Sequence, residues 1–262
     1  MITQSEILLG FSGISLKQMD AVSFMSRVDS KYLFPANMLG TVLSGLTGDY
    51  KVLEINSQRE FRYSTIYFDT PDYKFYNQHQ TGKMERDKVR LRTYETNSLT
   101  YLEVKHKTNK GRTVKSRIRS NNTSPLDDDR SKLFLQEKIE GAPELLHPVI
   151  TSLFTRITLI NNNLSERVTV DFNIAYTGSD GAKIELPNIA VAEIKRDKVS
   201  GGSVFHTVLK NNGIRQTGFS KYCLGAAILN GVSRKNNVKP ILLKLKKIDN
   251  ESIQHEVAIH HN

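Results

Sequence analysis

The residues best suited to chemistry in this chain are basic side chains that recur at every second position in three successive segments. Side chains of a β-strand alternate between its two faces, so this spacing places the charges of each segment on one face and mainly apolar residues on the other. Three such strands side by side would form a strongly positive surface, which predicts a polyanion as the ligand. The cations are Arg90 and Arg92 in VRLRTYE, Lys105 and Lys107 in YLEVKHK, and Lys115, Arg117 and Arg119 in TVKSRIR.

The overall charge agrees with an anionic partner. The 262 residues carry a formal net charge of +10, and the isoelectric point is near 9.5. Such a balance favours nucleic acid, phosphate ligands or an anionic membrane surface, and it does not choose among them. The length allows one large domain or two modest ones, each with a substantial core.

Several classes of protein are disfavoured by what the sequence lacks. The single cysteine, Cys223, excludes an internal disulfide, and no spacing of cysteine and histidine suggests a zinc site. The initial residues MITQSEILLGFSG have no positive region like that of a signal peptide. No apolar run approaches the roughly 18–20 residues that span a bilayer. We therefore expect a folded protein of the cytoplasm.

The elements that must position these charges are further strands and a few helices. Alternation of charged and apolar residues predicts strands at RVDSKY, ERVTVDFNIAY and IAVAEIKRDK, and a β-branched, aromatic run predicts another at 63–68. The basic tail 233–262 is expected to form an edge strand or a docking segment, in preference to an interfacial anchor. Apolar residues at helical spacing predict helices at 35–47, 145–154, 203–211 and 219–230.

Two arrangements suit these elements. An antiparallel sandwich would bury the apolar faces and leave the charged faces in water. The predicted helices, however, each need an apolar sheet surface to cover, and nearly every strand repeats basic residues with an occasional carboxylate. Both features favour an α+β fold with an antiparallel β-barrel tunnel, a polar basic lumen and helices packed outside. Cations crowded in such a lumen would repel each other unless an anion neutralised them.

An ordered series of short motifs resembles a known family. The series RVDSKY, YFDT, VRLRTYE, LEVKHK, TVKSRI, FTRI, RVTVDF, VAEIKRD and GFSKY extends over roughly residues 25–230. It is similar to the polyphosphate polymerase domain of the vacuolar transporter chaperone (VTC) type, within the triphosphate tunnel metalloenzymes (the CYTH superfamily). The resemblance implies one tunnel domain over residues 1–262, with its core at about 22–232 and the basic tail at 233–262.

The resemblance also implies roles for individual residues. Glu193 would bind a divalent cation, Mn²⁺ or Mg²⁺, and Asp29 is the one carboxylate at the matching positions of the first strand. The residues implied to act in catalysis are Lys31, Arg90, Arg92, Lys105 and Arg156. The residues implied to bind phosphate are Lys31, Arg90, Arg92, Lys105, Lys107, Lys115, Arg117, Arg156, Ser220 and Lys221.

The activity that the resemblance implies is transfer of the terminal phosphoryl group of ATP, or of another nucleoside triphosphate, onto a polyphosphate chain. Hydrolytic relatives tend to have two acidic residues in the first strand, whereas this chain has Arg27 at the first of these positions. Fewer carboxylates weaken a two-metal mechanism that activates water. Polymerase relatives often have histidine at the position of Lys107, which is a departure in this chain.

Three other functions stay open from the sequence. One is an inorganic tripolyphosphatase or nucleoside triphosphatase on the same fold, and another is a non-catalytic module that binds polyphosphate or inositol polyphosphates. Nucleic acid is disfavoured, because aromatic residues do not interleave with the basic rows. The family further implies a membrane-protein partner, through which the chain would associate with a membrane. Four residues fit either a lumen or structural ion pairs: Asp69, Arg167, Asp171 and Lys195.

Overall fold

The computed structural model describes residues 3–20, 27–121, 125–197 and 201–259. Its main feature is one large sheet with helices on both faces. The strands are β1 (Ser12–Ile14), β2 (Arg27–Pro35), β3 (Tyr50–Leu53), β4 (Phe61–Asp69), β5 (Arg86–Tyr94), β6 (Leu99–Lys107), β7 (Thr113–Ser120), β8 (His147–Asn161), β9 (Glu166–Gly178), β10 (Lys183–Leu186) and β11 (Ile189–Asp197). The α-helices are α1 (Gln4–Leu9), α2 (Leu16–Asp20), α3 (Leu39–Ser44), α4 (Lys74–Gln80), α5 (Asp129–Lys138), α6 (Val204–Asn211), α7 (Lys221–Leu229) and α8 (Lys239–Ile259).

The sheet is antiparallel along its main path and strongly curved. Its strand order is β2-β11-β9-β8-β4-β5-β6-β7, with β10 added beside β9 and β3 beside β8. Strand β1 pairs in parallel with β3. Within the described residues no ladder joins β7 to β2, yet residues from all eight strands of the path line one cavity. The expected α+β fold, with an antiparallel tunnel and a basic lumen, is confirmed.

The period-two pattern of β5 explains how one strand serves both the cavity and the core. Arg90 and Arg92 line the cavity. Val89 and Leu91, which alternate with them, are buried in an apolar cluster with Leu135 of α5. A shift of one residue would exchange these two sets, so the apolar cluster fixes the register that presents the cations.

Helices cover the outer face of the other half of the sheet. Leu43 of α3 and Phe205 of α6 pack with Phe34 of β2 and Val170 of β9 in a second buried cluster. Along their strands, Phe34 and Val170 lie on the face opposite to the residues that line the cavity. The helices predicted at 35–47 and 203–211 therefore lie outside the sheet, as a basic lumen requires. Helix α3 is shorter than expected, because a 3-10 turn, Ala36–Met38, precedes it.

In contrast to these outer helices, α7 packs on the concave face, beside the cavity. Tyr222 stacks on Tyr67 with ring centroids 5.4 Å apart, and both residues line the cavity. A Cβ atom on Gly225 would lie 2.7 Å from the ring of Tyr176, so this approach of helix to sheet requires glycine. The Ser220 hydroxyl caps the helix by accepting from the Cys223 N–H. The packing of α7 thus places Ser220 at the cavity wall.

The prediction of a helix at 145–154 is wrong, because most of this segment forms the first half of β8. Its β-branched residues Val149, Ile150 and Thr151 favour a strand. Pro148 is tolerated within the strand because it pairs at a bulge opposite Phe68. The sheet therefore gains a long central strand in place of a covering helix.

The basic tail contains no edge strand in its described part and instead forms helix α8. Ile241, Leu245 and Ile248 recur at helical spacing and are buried in the cluster that contains α7. The tail is therefore a docking segment on the protein core, which is the second of the two expected forms. In the described residues no helix is both long enough and apolar enough to cross a membrane.

Asp69 is a structural residue that ties α4 and α7 to the end of β4. Its side chain is fully buried and accepts hydrogen bonds from the Phe75 and Tyr76 N–H groups, both at 2.9 Å. The Tyr222 hydroxyl also donates to it. Asp69 does not line the cavity, and these partners are neutral hydrogen-bond donors rather than cations. It therefore anchors the helices through hydrogen bonds, and neither of the two predicted roles, lumen residue or structural ion pair, describes it.

Replacing this carboxylate should destabilise the protein. We expect Asp69→Ala to lower the free energy of unfolding by about 3 kcal/mol, because three buried donors lose a charged acceptor. Urea unfolding measures this change. Asp72→Ala is the matched control, since Asp72 is exposed in the same loop, and we expect a change within about 0.5 kcal/mol. Equal effects of the two substitutions would contradict the anchoring role.

Candidate functional site

The concave side of the sheet encloses a cavity of about 610 Å³ with a strongly basic wall. Among the described residues that line it are thirteen lysine and arginine side chains and three carboxylates. The carboxylates are Asp29, Asp171 and Glu193. The cations are Lys31, Arg86, Lys88, Arg90, Arg92, Lys105, Lys107, Lys115, Arg117, Arg156, Arg167, Lys195 and Lys221.

The structure brings together every site residue that the sequence predicted. The eleven are Lys31, Arg90, Arg92, Lys105, Lys107, Lys115, Arg117, Arg156, Glu193, Ser220 and Lys221, and all of them line the cavity. Of the residues left open between lumen and structure, Arg167, Asp171 and Lys195 line it as well. Arg119, which continues the basic row of β7, is not among the lining residues.

Sequence reasoning missed two cations of the wall, Arg86 and Lys88. Both lie on β5 and precede Arg90 and Arg92 at the same period of two. Extending the alternation of VRLRTYE backward by two repeats would have found them. The Lys88 Nζ donates to the Ser220 hydroxyl at 3.2 Å, which links β5 to the start of α7.

A buried carboxylate behind the wall fixes one of the arginines. Glu103 is fully buried, and Arg90 donates to its Oε2 through Nε at 2.7 Å and pairs through Nη2 at 2.6 Å. Lys115 forms an ion pair with its other oxygen. Burial raises the pKa of Glu103, but Arg90, Arg92 and Lys115 outweigh this and lower it to about 2. Glu103 thus stays ionised and holds Arg90 in one orientation.

Asp171 does the same for a second pair of cations. Arg156 binds it with two parallel hydrogen bonds, from Nε at 2.6 Å and from Nη2 at 2.8 Å. Lys221 also donates to this carboxylate, and its Nζ lies 4.3 Å from the centroid of the Phe154 ring. Asp171 is therefore both a lumen residue and a partner in structural ion pairs, so the two roles left open for it are not exclusive.

Glu193 is the carboxylate for which a metal was predicted. Its Oε2 lies 2.5 Å from the Lys195 Nζ, and Lys31 and Thr169 are its cross-strand neighbours. Burial raises the pKa of Glu193, but Lys195, Lys31 and Lys105 together lower it below its usual range. The group is therefore an ionised carboxylate at neutral pH.

The residues around Glu193 fit a divalent cation that takes most of its ligands from substrate. The described residues contain no cluster of three acidic, histidine or cysteine side chains that could form a complete cage. Thr169 lines the cavity beside Glu193, and its hydroxyl is buried without a hydrogen-bond partner in the described residues. One carboxylate and one neutral oxygen suit Mg²⁺ or Mn²⁺, whose other positions phosphate oxygens and water can fill.

Burial and neighbouring cations together lower the pKa values of several lysines in the wall. Burial, reinforced by Lys31, Arg86 and Arg90, lowers the pKa of Lys88 to about 8. Burial and Arg156 lower the pKa of Lys221 to about 8 despite its ion pair. Arg90 and burial hold the pKa of Lys105 well below its usual range. The wall therefore carries positive charge that the protein itself does not neutralise.

Comparison with known proteins identifies a family. The family model of the VTC domain matches residues 26–230. No curated protein matches the chain.

Solved structures that resemble the chain do so at low identity. One is a protein of Vibrio parahaemolyticus described as a candidate adenylate cyclase, with 13% identity, a TM-score of 0.45, and coverage of 76% of this chain and 96% of that one. Another is a candidate adenylyl cyclase of Hippeastrum, reported with a dominant triphosphatase activity, at 13% identity and a TM-score of 0.44, covering 78% and 96%. A protein of Pyrococcus horikoshii OT3 has 13% identity and a TM-score of 0.41, covering 75% and 95%.

The lowered pKa values of Lys88 and Lys221 predict proton uptake on anion binding. At pH 8 both lysines are partly neutral, and a bound polyanion raises their pKa values, so protons must enter from buffer. Calorimetric titration with long-chain polyphosphate, in two buffers of different ionisation enthalpy, measures this uptake. The internal phosphates of the ligand do not titrate near this pH.

The control for this prediction is the double variant Lys88→Met with Lys221→Met, which removes both titrating groups. We expect less proton uptake at pH 8 in the variant than in the natural protein. Equal uptake by the two proteins would show that these lysines do not gain charge when the anion binds.

Proposed function

The chain belongs to the VTC domain family, and we propose that it is a polyphosphate polymerase. In this proposal a terminal phosphate oxygen of a polyphosphate chain attacks the γ-phosphorus of ATP, or of another nucleoside triphosphate, in the cavity. The bond from the γ-phosphorus to the β,γ-bridging oxygen breaks, the chain grows by one phosphate, and the nucleoside diphosphate leaves. The observation that carries the proposal is the cavity wall, whose many cations face few carboxylates. Because a triphosphate and a polyphosphate chain are both extended polyanions, one cationic lumen suits both substrates.

The arginines are arranged to hold phosphates in fixed positions. Phosphoryl transfer depends mainly on in-line positioning and on neutralisation of charge, with little covalent work for the protein. Glu103 orients Arg90 and Asp171 orients Arg156 before any ligand binds. Such preorganisation means that less side-chain ordering has to accompany the reaction. Lys31 and Lys105 add positive charge without the geometric demand of a guanidinium.

The state of the carboxylates favours transfer to phosphate over hydrolysis. Neighbouring cations hold the pKa values of Glu193 and Asp171 below the usual range. A carboxylate of low basicity is a weak general base, and water needs a base to become a good nucleophile. The terminal phosphate of a polyphosphate chain is already anionic near neutral pH. The proposed acceptor therefore makes little demand on the groups of this cavity.

We assign the metal to Glu193, with Thr169 as a second protein ligand. A bound Mg²⁺ or Mn²⁺ would supply neutralisation of the charge on the phosphate oxygens. Lys195, which pairs with Glu193, would then lose this partner and be free to bind phosphate. The negative charge of Glu193 is thus neutralised by Lys195 without metal and by the metal ion when it is bound.

The proposed domain comprises residues 1–262. The cavity takes lining residues from Asp29 in β2 through Tyr222 in α7, and α8 packs on the cluster that contains α7. We propose that the domain acts in the cytoplasm.

The direct test of the polymerase is its product. Purified protein is incubated with ATP and Mn²⁺, and the products are resolved on a polyacrylamide gel stained for polyphosphate. We expect a ladder of long polymer. Orthophosphate without polymer would replace this function by a triphosphatase on the same fold. Neither product, together with tight binding of polyphosphate, would leave a non-catalytic binding module.

The metal assignment predicts a separation of turnover from binding. We expect Glu193→Gln to reduce polymer synthesis at least about 100-fold, since the charge that holds the metal is lost, while most of the affinity for tripolyphosphate remains. Gel assay and calorimetry measure the two quantities. Glu185→Gln is the control, because Glu185 is an exposed acid of β10 and should keep full activity. Full synthesis by Glu193→Gln would exclude it as the metal ligand.

Arg92 tests the phosphate contacts without breaking an ion pair of the described residues. It is buried in the wall, donates to the Thr65 hydroxyl at 3.4 Å, and has no ion-pair partner in the described residues. We expect Arg92→Ala to weaken tripolyphosphate binding about 10- to 100-fold, as for loss of a charged hydrogen-bonding partner. The control is Arg62→Ala, whose side chain is 74% exposed. An unchanged affinity in Arg92→Ala would contradict the assignment of the cavity.

A further inference from the structure

The two ends of the basic row on β5 differ in chemistry. The row begins at Arg86, whose cross-strand neighbour is Lys107, and it ends at Tyr94, whose neighbour on β4 is Tyr63. Arg86, Lys107 and Tyr94 all line the cavity. The row on β5 therefore begins at a cross-strand pair of cations and ends at a cross-strand pair of tyrosines.

The aromatic end of the row is a contiguous group of tyrosines. The ring centroid of Tyr94 lies 5.0 Å from that of Tyr63 and 5.9 Å from that of Tyr101. The Arg117 guanidinium lies 4.8 Å from the centroid of Tyr101, and Arg117 also lines the cavity. Tyr94 and Tyr101 are both half-buried. The group combines rings that keep exposed surface with a planar cation, and both kinds of group stack on heteroaromatic rings.

The other aromatic residues of the cavity wall are not available for stacking. Tyr67, Phe219 and Tyr222 line the cavity but are 5%, 8% and 2% exposed. Tyr67 and Tyr222 cover each other's faces. Among the described lining residues, Tyr94 is thus the aromatic residue that is half-buried rather than buried.

We infer that Tyr94, supported by Tyr101 and Arg117, binds the nucleobase of the nucleoside triphosphate. The inference rests on the proposed function, because it adds a base-binding subsite to the same cavity. The triphosphate would then extend from Tyr94 along β5 past Arg92 and Arg90. The cationic end at Arg86 and Lys107 is left for the acceptor chain.

Recognition by stacking has a consequence for selectivity. Every nucleobase has a π-face, so stacking on tyrosine discriminates weakly among bases. We expect ATP and GTP to bind with affinities within about ten-fold of each other, since no base-edge contact contributes to the difference.

The test compares a ligand that has a base with one that lacks it. ATP and inorganic tripolyphosphate share the phosphate contacts, so their affinity ratio isolates the nucleoside. We expect Tyr94→Ala to weaken ATP binding about ten-fold, the usual effect of removing one stacking partner, and to leave tripolyphosphate binding unchanged. Tyr94→Phe keeps the π-face and should bind ATP like the natural protein. Calorimetry with the full chain, without metal, measures each affinity.

A second variant guards against misfolding. Tyr94→Leu keeps most of the buried volume that packs on Tyr63 but has no π-face, and it should show the same loss for ATP alone. An equal loss for both ligands in the Tyr94→Ala and Tyr94→Leu variants would mean that Tyr94 only supports the cavity. No loss for either ligand would place the base elsewhere. Both results overturn the subsite.

Failure of the subsite can be told apart from failure of the polymerase. The affinity ratio is measured without turnover. If the natural protein makes no polymer but Tyr94→Ala selectively weakens ATP binding, the subsite is supported and only the proposed reaction is wrong. If the natural protein makes polymer but Tyr94→Ala does not selectively weaken ATP binding, the proposed function is supported and Tyr94 is excluded as the base site.

Discussion

Mutual repulsion of cations in a confined cavity is the constraint on which this structure depends. Thirteen basic side chains and three carboxylates line the wall in the described part of the chain, and burial weakens the screening that water would give. Burial first, and neighbouring cations second, lower the pKa values of Lys88 and Lys221 to about 8. This arrangement destabilises the protein without ligand. A bound polyanion removes the repulsion, so the free energy of the repulsion contributes to the affinity for the polyanion.

The remainder of the fold reduces the repulsion between these cations and fixes their orientation. Glu103 and Asp171, buried against the wall, neutralise and orient Arg90 and Arg156. The apolar clusters outside the sheet fix the strand registers, so that the cations cannot turn away into solvent. The packing of α7 on the concave face brings Lys221 into the same wall. Charge repulsion in the cavity is thus opposed by hydrophobic burial elsewhere, which stabilises the folded chain by more than the repulsion destabilises it.

The sequence predicted most of the site because alternation in strands is a local property. Once the period of two is recognised, which residues share a face follows, and all eleven predicted site residues meet in one cavity. Tertiary context decided the rest. The segment at 145–154 has few polar residues, so periodicity alone does not separate helix from strand there, and the concave position of α7 depends on Gly225 fitting against Tyr176. The proposed subsite at Tyr94 depends on the register of three strands, β5, β6 and β7, which no local sequence pattern specifies.

The cavity holds positive charge that the protein does not compensate and that a bound polyanion would neutralise. The most direct measurement is the melting temperature of the protein with and without tripolyphosphate, with sodium chloride at equal ionic strength as the reference. At a ligand concentration about 100 times the dissociation constant, binding adds about 2.7 kcal/mol of stability. For a chain of this size that corresponds to a rise of about 5–10 °C. A melting temperature that rises no more with tripolyphosphate than with sodium chloride would contradict the account.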